Sequence, residues 1–190
     1  MNNLERKVEE LVKELEQKER EQEEVLRLSR EIVRNCSKAI KNIHSNEMKK
    51  NERIELQIKE NLDKILKYRD KFGAIVDHAI QEYCEMEIMQ YIKVNLVNFK
   101  ELPTNEDLKC PLEPYFMGLL DVFGELRREI IEALRKDKKD EAEKYFRIME
   151  EMYETLLPIK FSESLMPGFR KKQDVARMQL EGARSELLRR

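Results

Sequence analysis

Glu82 and Glu85 lie three residues apart and Asp121 and Glu125 four apart, spacings that put each pair on one face of a helix. Spacing alone says little, because 39 acids among 190 residues give about eight acidic pairs at i,i+3 by chance, most on solvated faces. The surroundings set these two pairs apart. Ile75, His78, Glu82, Glu85, Met89, Ile92 and Leu96 form a helical stripe that is apolar on either side of the acids, and Asp121 and Glu125 fall in YFMGLLDVFGEL (residues 115–126), whose other ten residues are apolar, aromatic or glycine.

An isolated ionised carboxylate in such surroundings costs several kcal/mol, so it must be protonated, ion-paired or bound to a cation. Two helices each offering two carboxylates make a cage of hard oxygen ligands that suits Mg²⁺ or Mn²⁺. Such a cation with open positions can neutralise a phosphodiester oxygen and deliver hydroxide, which is nuclease chemistry. The competing reading pairs these acids with inward bases such as Lys38, Arg127 or Arg128, and the residues alone leave both open. Other chemistries find less support. There is no glycine-rich phosphate loop, no G-x-S-x-G, no Glu-x-x-His pair of the di-iron kind, and only two histidines. His44 reads as a surface or packing histidine and His78 as a satisfied core residue.

Arg27, Arg30, Arg34, Lys38 and Lys41 follow at steps of three and four, a basic stripe about 20 Å long on one helix face. Five regularly spaced cations can track a nucleic-acid backbone. A plain solvated face explains them equally well in a chain that is 40% charged. Arg170, Lys171, Lys172, Arg177 and Arg184 repeat the signal more weakly, with solvation as the default.

The elements that position these residues read as helices throughout. With 5 Gly, 5 Pro and no Trp among abundant Leu, Glu, Lys and Arg, the composition is helical. Leu4, Val8, Leu11, Leu15, Lys18, Gln22, Val25, Ser29, Ile32, Cys36, Ala39 and Ile43 form one seam of threes and fours over residues 1–45. Its first 24 residues carry 14 charges, so they are expected to form a solvated or oligomer-contacting arm, with residues 25–190 forming the bundle of a single domain. Ser45 and Asn46 are expected to break and cap, leading to a helix through Phe72. Lys71 to Phe99 holds 6 charges in 29 residues, and this helix is expected to be buried on most sides. Prolines 103, 111 and 114 mark an irregular connection before a buried helix over Tyr115–Arg135. Gly118 and Gly124 inside it imply close approach of a neighbouring helix or substrate. Asp137 is expected to cap the next helix, which ends at Pro158. A last helix, Gln173 to Leu188, should turn Val175, Met178 (or Gln179), Gly182 and Leu187 inward. The fold class is all-α, an up-and-down bundle of about six or seven helices.

Charge and cysteines bound the rest. The net charge of −2 identifies no partner. Cys36, Cys84 and Cys110 are odd in number and widely spaced, which argues against a disulfide framework or thiolate zinc site. No apolar stretch approaches a bilayer span or a signal peptide, so a soluble, cytoplasmic protein with no membrane partner is expected.

LSREIVRNCSKAIKNIH (28–44), QEYCEME (81–87), GLLDVFGELRREI (118–130) and DVARMQLEGARSEL (174–187), in this order on an all-α chain, resemble the translin and translin-associated factor X family over most of residues 20–188. The resemblance implies a bundle of about seven helices that assembles into an octameric shell and binds single-stranded RNA and DNA. In the factor X branch it further implies Mg²⁺-dependent RNA cleavage on the inner surface. Glu82, Glu85 and Asp121 match that branch's acids, Glu125 matches the glutamate of its GxxDxxGEL segment, and Lys38 falls in its Ser-Lys pair. The connection from Phe99 to Tyr115 is shorter than in the factor X proteins. The expectation is therefore a metal-dependent endoribonuclease acting on single-stranded RNA inside a homo-oligomeric shell. Glu82, Glu85, Asp121 and Glu125 would hold Mg²⁺ (or Mn²⁺), and Arg27, Arg30, Arg34, Lys38 and Lys41 would hold the strand. The alternatives are a non-catalytic oligomer that binds single-stranded RNA or DNA, and, third, an all-α nucleoside triphosphate pyrophosphatase.

Overall fold

A computed structural model describes residues 3–97 and 101–189. Six α-helices carry it: α1 (Asn3–His44), α2 (Glu52–Ile65), α3 (Arg69–Asn95), α4 (Leu112–Arg135), α5 (Lys139–Leu156) and α6 (Phe169–Leu188). No strand occurs among the described residues, as the composition requires. No described helix is long and apolar enough to cross a membrane.

The long seam forms one helix of 42 residues, α1, whose residues 4–20 are all exposed and whose first buried residue is Val25. From there Leu28, Ile32, Cys36, Ala39 and Ile43 are sealed in the core. Asn46 takes a positive φ of 58°, so it turns the chain at the end of α1 instead of capping a helix. A short 3-10 turn at Met48–Asn51 leads into α2. The expected helix through Phe72 is cut short, because α2 ends at Ile65 and a 3-10 turn at Leu66–Tyr68 starts α3. Asp137 likewise sits at φ 62° and makes no side-chain cap on α5. Polar residues read as caps are here left-handed turn residues, a use that Asn and Asp share with glycine.

Contacts fix the helix directions. Lys71 binds Glu21 and Ser29 binds the Ile75 carbonyl, while Asn51 joins Ala39 to Gln90; α3 therefore runs with α1, and α2 against both. Arg69 binds Glu113 near the start of α4, and Lys93 binds Glu129 near its end. So α3 and α4 are parallel neighbours, and residues 101–111, the described part of the crossover segment between them, lead into the start of α4. The expected end of the buried helix at Phe99 lies outside the described residues. Lys172 meets Asp121, and Arg127 meets Glu186, which makes α6 parallel to α4. Antiparallel α5 packs Tyr153 edge-on against Phe123. The chain is thus two up-down-up trios, α1–α3 and α4–α6, side by side.

Gly118 permits the central contact. A Cβ there would lie 2.8 Å from the Cβ of Cys84 and 2.8 Å from the Gln81 carbonyl oxygen, so only glycine lets α4 approach the α3 backbone this closely. Gly124 meets nothing within 4 Å, and the expected close neighbour is absent there among the described residues. The inward face of α6 is also displaced from expectation. Phe169, Ala176, Leu180 and Ala183 are buried, whereas Val175 and Met178 are exposed. Gln179, Gly182 and Leu187, also expected inward, are half-buried, so the face is rotated toward Ala176 and Ala183, whose small side chains allow close packing.

Candidate functional site

Glu82 and Glu85 of α3 and Asp121 and Glu125 of α4 are all half-buried and feel one another's charge. Burial, then Asp121, Glu82 and Glu125, push Glu85 up to about 8. Glu82 is also raised, chiefly by burial and against the nearby His78, with Asp121 and Glu125 adding to the rise. Two like charges in a poorly solvated place cannot both ionise cheaply. The parallel packing through Gly118 brings the acids of two helices into this shared field.

Two of the four carboxylates have partners. Asp121 accepts from the Lys172 ammonium and from Gln81 Nε2 at 2.6 Å. Glu125 is bound by His44 Nε2 and lies 3.7 Å from Arg128. Glu82 and Glu85 make no hydrogen bond or ion pair among the described residues. Of the bases expected to neutralise this cluster, Lys38 is exposed on α1, Arg127 binds Gln179 and Glu186, and only Arg128 approaches. Lys172 and His44 take the role instead, because helix ends far apart in sequence meet here.

His44 is not a simple surface or packing residue. Its Nδ1 lies 2.5 Å from Glu129, and Lys93 Nζ lies 2.6 Å from the other Glu129 oxygen. Burial alone would lower the His44 pKa, but the bonds to Glu125 and Glu129 outweigh it and raise the value above 6.5. Glu125 is lowered, first by the His44 bond. Glu129, 3% exposed, is pushed up by burial but pulled further down by His44 and Lys93. His78 is exposed and is not the core residue expected.

The donor chemistry fits a hard divalent cation: all four groups offer oxygen, two lack a hydrogen-bond or ion-pair partner among the described residues, and one is raised to about 8 by burial and its acidic neighbours. Among the described residues no three His, Cys, Asp or Glu side chains stand close enough to hold an ion as they are placed. Glu82 and Glu85 are not held in place by any hydrogen bond among the described residues, whereas Asp121 and Glu125 are held by Lys172 and His44.

Arg27, Arg30, Arg34, Lys38 and Lys41 are all exposed and lie opposite the buried face of α1, touching none of the four acids. Arg27 is 3.6 Å from Glu31; the other four make no ion pair among the described residues. Burial of Cys36, with Glu82 and Glu85 as the next contributors, raises that thiol's pKa, so the middle of the stripe is level with the acids along the bundle. In the C-terminal cluster, Arg177 pairs with Asp174 and Arg184 with Glu150 and Glu181. A feature not read from the sequence lies at the start of α6, where Lys160, Phe161, Phe169, Arg170 and Gln173 line a cavity of about 210 Å³. Phe161 is 47% exposed there and packs edge-on against Phe169. The only sequence signal was an aromatic and a cation on either side of Pro167–Gly168.

The Translin family model matches residues 3–183. An uncharacterized protein of Methanocaldococcus jannaschii is 34% identical over 183 residues, covering 94% of this chain and 80% of that protein. A solved structure of AfC3PO with duplex RNA matches with a TM-score of 0.79 at 28% identity, covering 96% of this chain and 95% of that one. The structure of apo-NeC3PO matches with a TM-score of 0.80 at 20% identity over 99% of this chain and 97% of that one, a likeness of fold. This chain belongs to the translin family.

Proposed function

We propose that this protein is a metal-dependent endoribonuclease of the catalytic, factor X-like kind, cutting single-stranded RNA inside a cytoplasmic homo-oligomeric shell, an octamer by family resemblance. The observation that carries the reading is the clustering of Glu82 and Glu85, which make no hydrogen bond or ion pair among the described residues, beside Asp121 and Glu125. Burial and its acidic neighbours raise the half-buried Glu85 to about 8, and perturbed carboxylates of this kind concentrate at functional sites.

Glu82, Glu85, Asp121 and Glu125 would hold Mg²⁺ or Mn²⁺. Bound there, the cation supplies activated water and neutralises charge on the phosphate. The protein's own groups do the rest. His44 holds Glu125 in one orientation by bonding the neighbouring Glu129 with its other nitrogen. Lys172 sets Asp121 and places an ammonium beside the acids, the role that Lys38, exposed on α1, does not fill. Glu85 keeps its proton near neutral pH, and added positive charge beside it lowers its pKa. Backbone phosphates would be held by Arg27, Arg30, Arg34, Lys38 and Lys41, so base preference is weak and single-stranded DNA binds as well. The Phe161 cavity, with Lys160 and Arg170, suits a stacked base and its phosphate.

The complex of AfC3PO with duplex RNA favours a second substrate reading, in which a duplex is also accepted. The test incubates labelled single-stranded and duplex RNA with the protein and Mg²⁺ or Mn²⁺, using EDTA and Asp121→Asn as controls. Shortening of the single strand that both controls abolish supports the proposal. RNA that is bound but never shortened leaves a non-catalytic strand-binding oligomer, and preferential cutting of the duplex selects the second reading.

A further inference from the structure

Cys84 and Cys110 stand 26 residues apart in sequence, yet their sulfurs lie 3.3 Å apart. Both are free thiols in this structure. Cys84 is buried on α3, and Cys110 is half-buried at the end of the crossover segment. The segment is held for this meeting: Thr104 donates through its N–H and its hydroxyl to Asp107 at 2.8 Å, the Cys110 N–H bonds the Asn105 carbonyl, and Lys109 takes φ 53°. A cavity of about 430 Å³, lined by Lys59, Tyr83, Lys109 and Cys110 among others, opens beside the pair. The two thiols are also unequal. Cys110 lines the cavity, whereas Cys84 is buried on α3, and either sulfur can be the donor across their contact.

We propose that Cys110 is a redox-modification site and Cys84 its resolving thiol, together forming a reversible disulfide that fastens the crossover segment to α3. The oxidant is a low-molecular-weight disulfide admitted by the cavity. The Cys110 thiolate attacks one of its sulfurs; that S–S bond breaks, and the departing sulfur takes a proton. Cys84, losing its proton to solvent, then attacks the Cys110 sulfur and expels the second small thiol. Two protein thiols are oxidised by two electrons, and one small disulfide becomes two thiols. The half-buried sulfur that lines the cavity reacts first, and the buried one reacts only inside the protein.

The bond would matter to the bundle because the Cys84 Cβ lies directly under Gly118, 2.8 Å from where a Cβ would stand, and Cys84 adjoins Glu85. Oxidation therefore fixes α3, α4 and the crossover at one point. The proposal does not depend on the nuclease reading, since its test uses no RNA.

The native protein is treated with oxidised glutathione, then its thiols are counted and its peptides mapped. The count should fall from three to one, with a Cys84–Cys110 cross-link, a raised thermal midpoint, and full reversal by dithiothreitol. Cys110→Ser should keep both remaining thiols under the same oxidant, and Cys36→Ser should still cross-link. A count that stays at three, a stable glutathione adduct on Cys110 that Cys84 never displaces, or a Cys36–Cys84 bond would overturn the proposal.

Discussion

His44, the last residue of α1, joins two glutamates of α4, reaching Glu125 through Nε2 and Glu129 through Nδ1. A neutral imidazole has one N–H and can serve only one acceptor, whereas the imidazolium serves both. The arrangement therefore stabilises the charged ring, in accord with its raised pKa. A group whose pKa is raised by folding contributes stability that is fully present below its unfolded value and is lost as pH rises through the folded value.

His44→Phe should therefore cost about 1–3 kcal/mol below pH 6.5, where two charged bonds are lost. The gap between wild type and variant should narrow as pH climbs. Urea unfolding across a pH series checks this, and a gap independent of pH would contradict it.

Glu85 has the opposite consequence. Its carboxyl is raised from 4.5 to about 8, so the folded protein binds the proton more tightly than the unfolded chain and loses stability as pH rises across that interval. Glu85→Gln removes the penalty and should raise stability near pH 8 by about 1–3 kcal/mol, with little change near pH 4. Thermal unfolding at both pH values reads it. Destabilisation at pH 8 would show that the glutamate is stably ionised there.

Gly118 and Gly124 separate close approach from mere permissiveness. Gly118→Ala forces a methyl against Cys84 and the Gln81 carbonyl and should cost about 1–3 kcal/mol, with Asp121 displaced from α3. Gly124→Ala enters open space and should stabilise the helix by up to about 1 kcal/mol. Denaturant midpoints of the two variants should move in opposite directions.

Two surfaces are available to hold a strand, and salt distinguishes them. Replacing Arg30, Arg34 and Lys38 by Ala should reduce the salt dependence of RNA affinity by a slope of about 2, at about 0.7 per phosphate contact on a single strand. Phe161→Ala should weaken binding by about 1–3 kcal/mol per stacked base and leave the slope unchanged. Fluorescence anisotropy over a salt series gives both numbers. An unchanged slope in the triple variant would remove the stripe from the interface.

The helices were legible because apolar periodicity survives in any packing. The α1 seam from Val25 onward, the low charge of α3 and the apolar run around Asp121 each reappear as buried faces. Connections were less legible, since Asn46 and Asp137 serve equally as caps or as left-handed turns, and only the chain's direction afterwards decides between them. The four acids stood out because charge among apolar neighbours is locally visible. Their partners did not, because His44 and Lys172 arrive from remote helix ends. The Cys84–Cys110 contact was hidden for the same reason, as the crossover that creates it leaves no periodic trace.

Calorimetric titration of Mn²⁺ into the wild-type protein and into Glu82→Gln/Glu85→Gln, in two buffers of different ionisation enthalpy, tests the central claim most directly. The account predicts saturable binding to wild type near pH 7, with release of protons from Glu85, and at least a tenfold loss of affinity in the double variant. Equal binding by both proteins, or no binding by either, would contradict it.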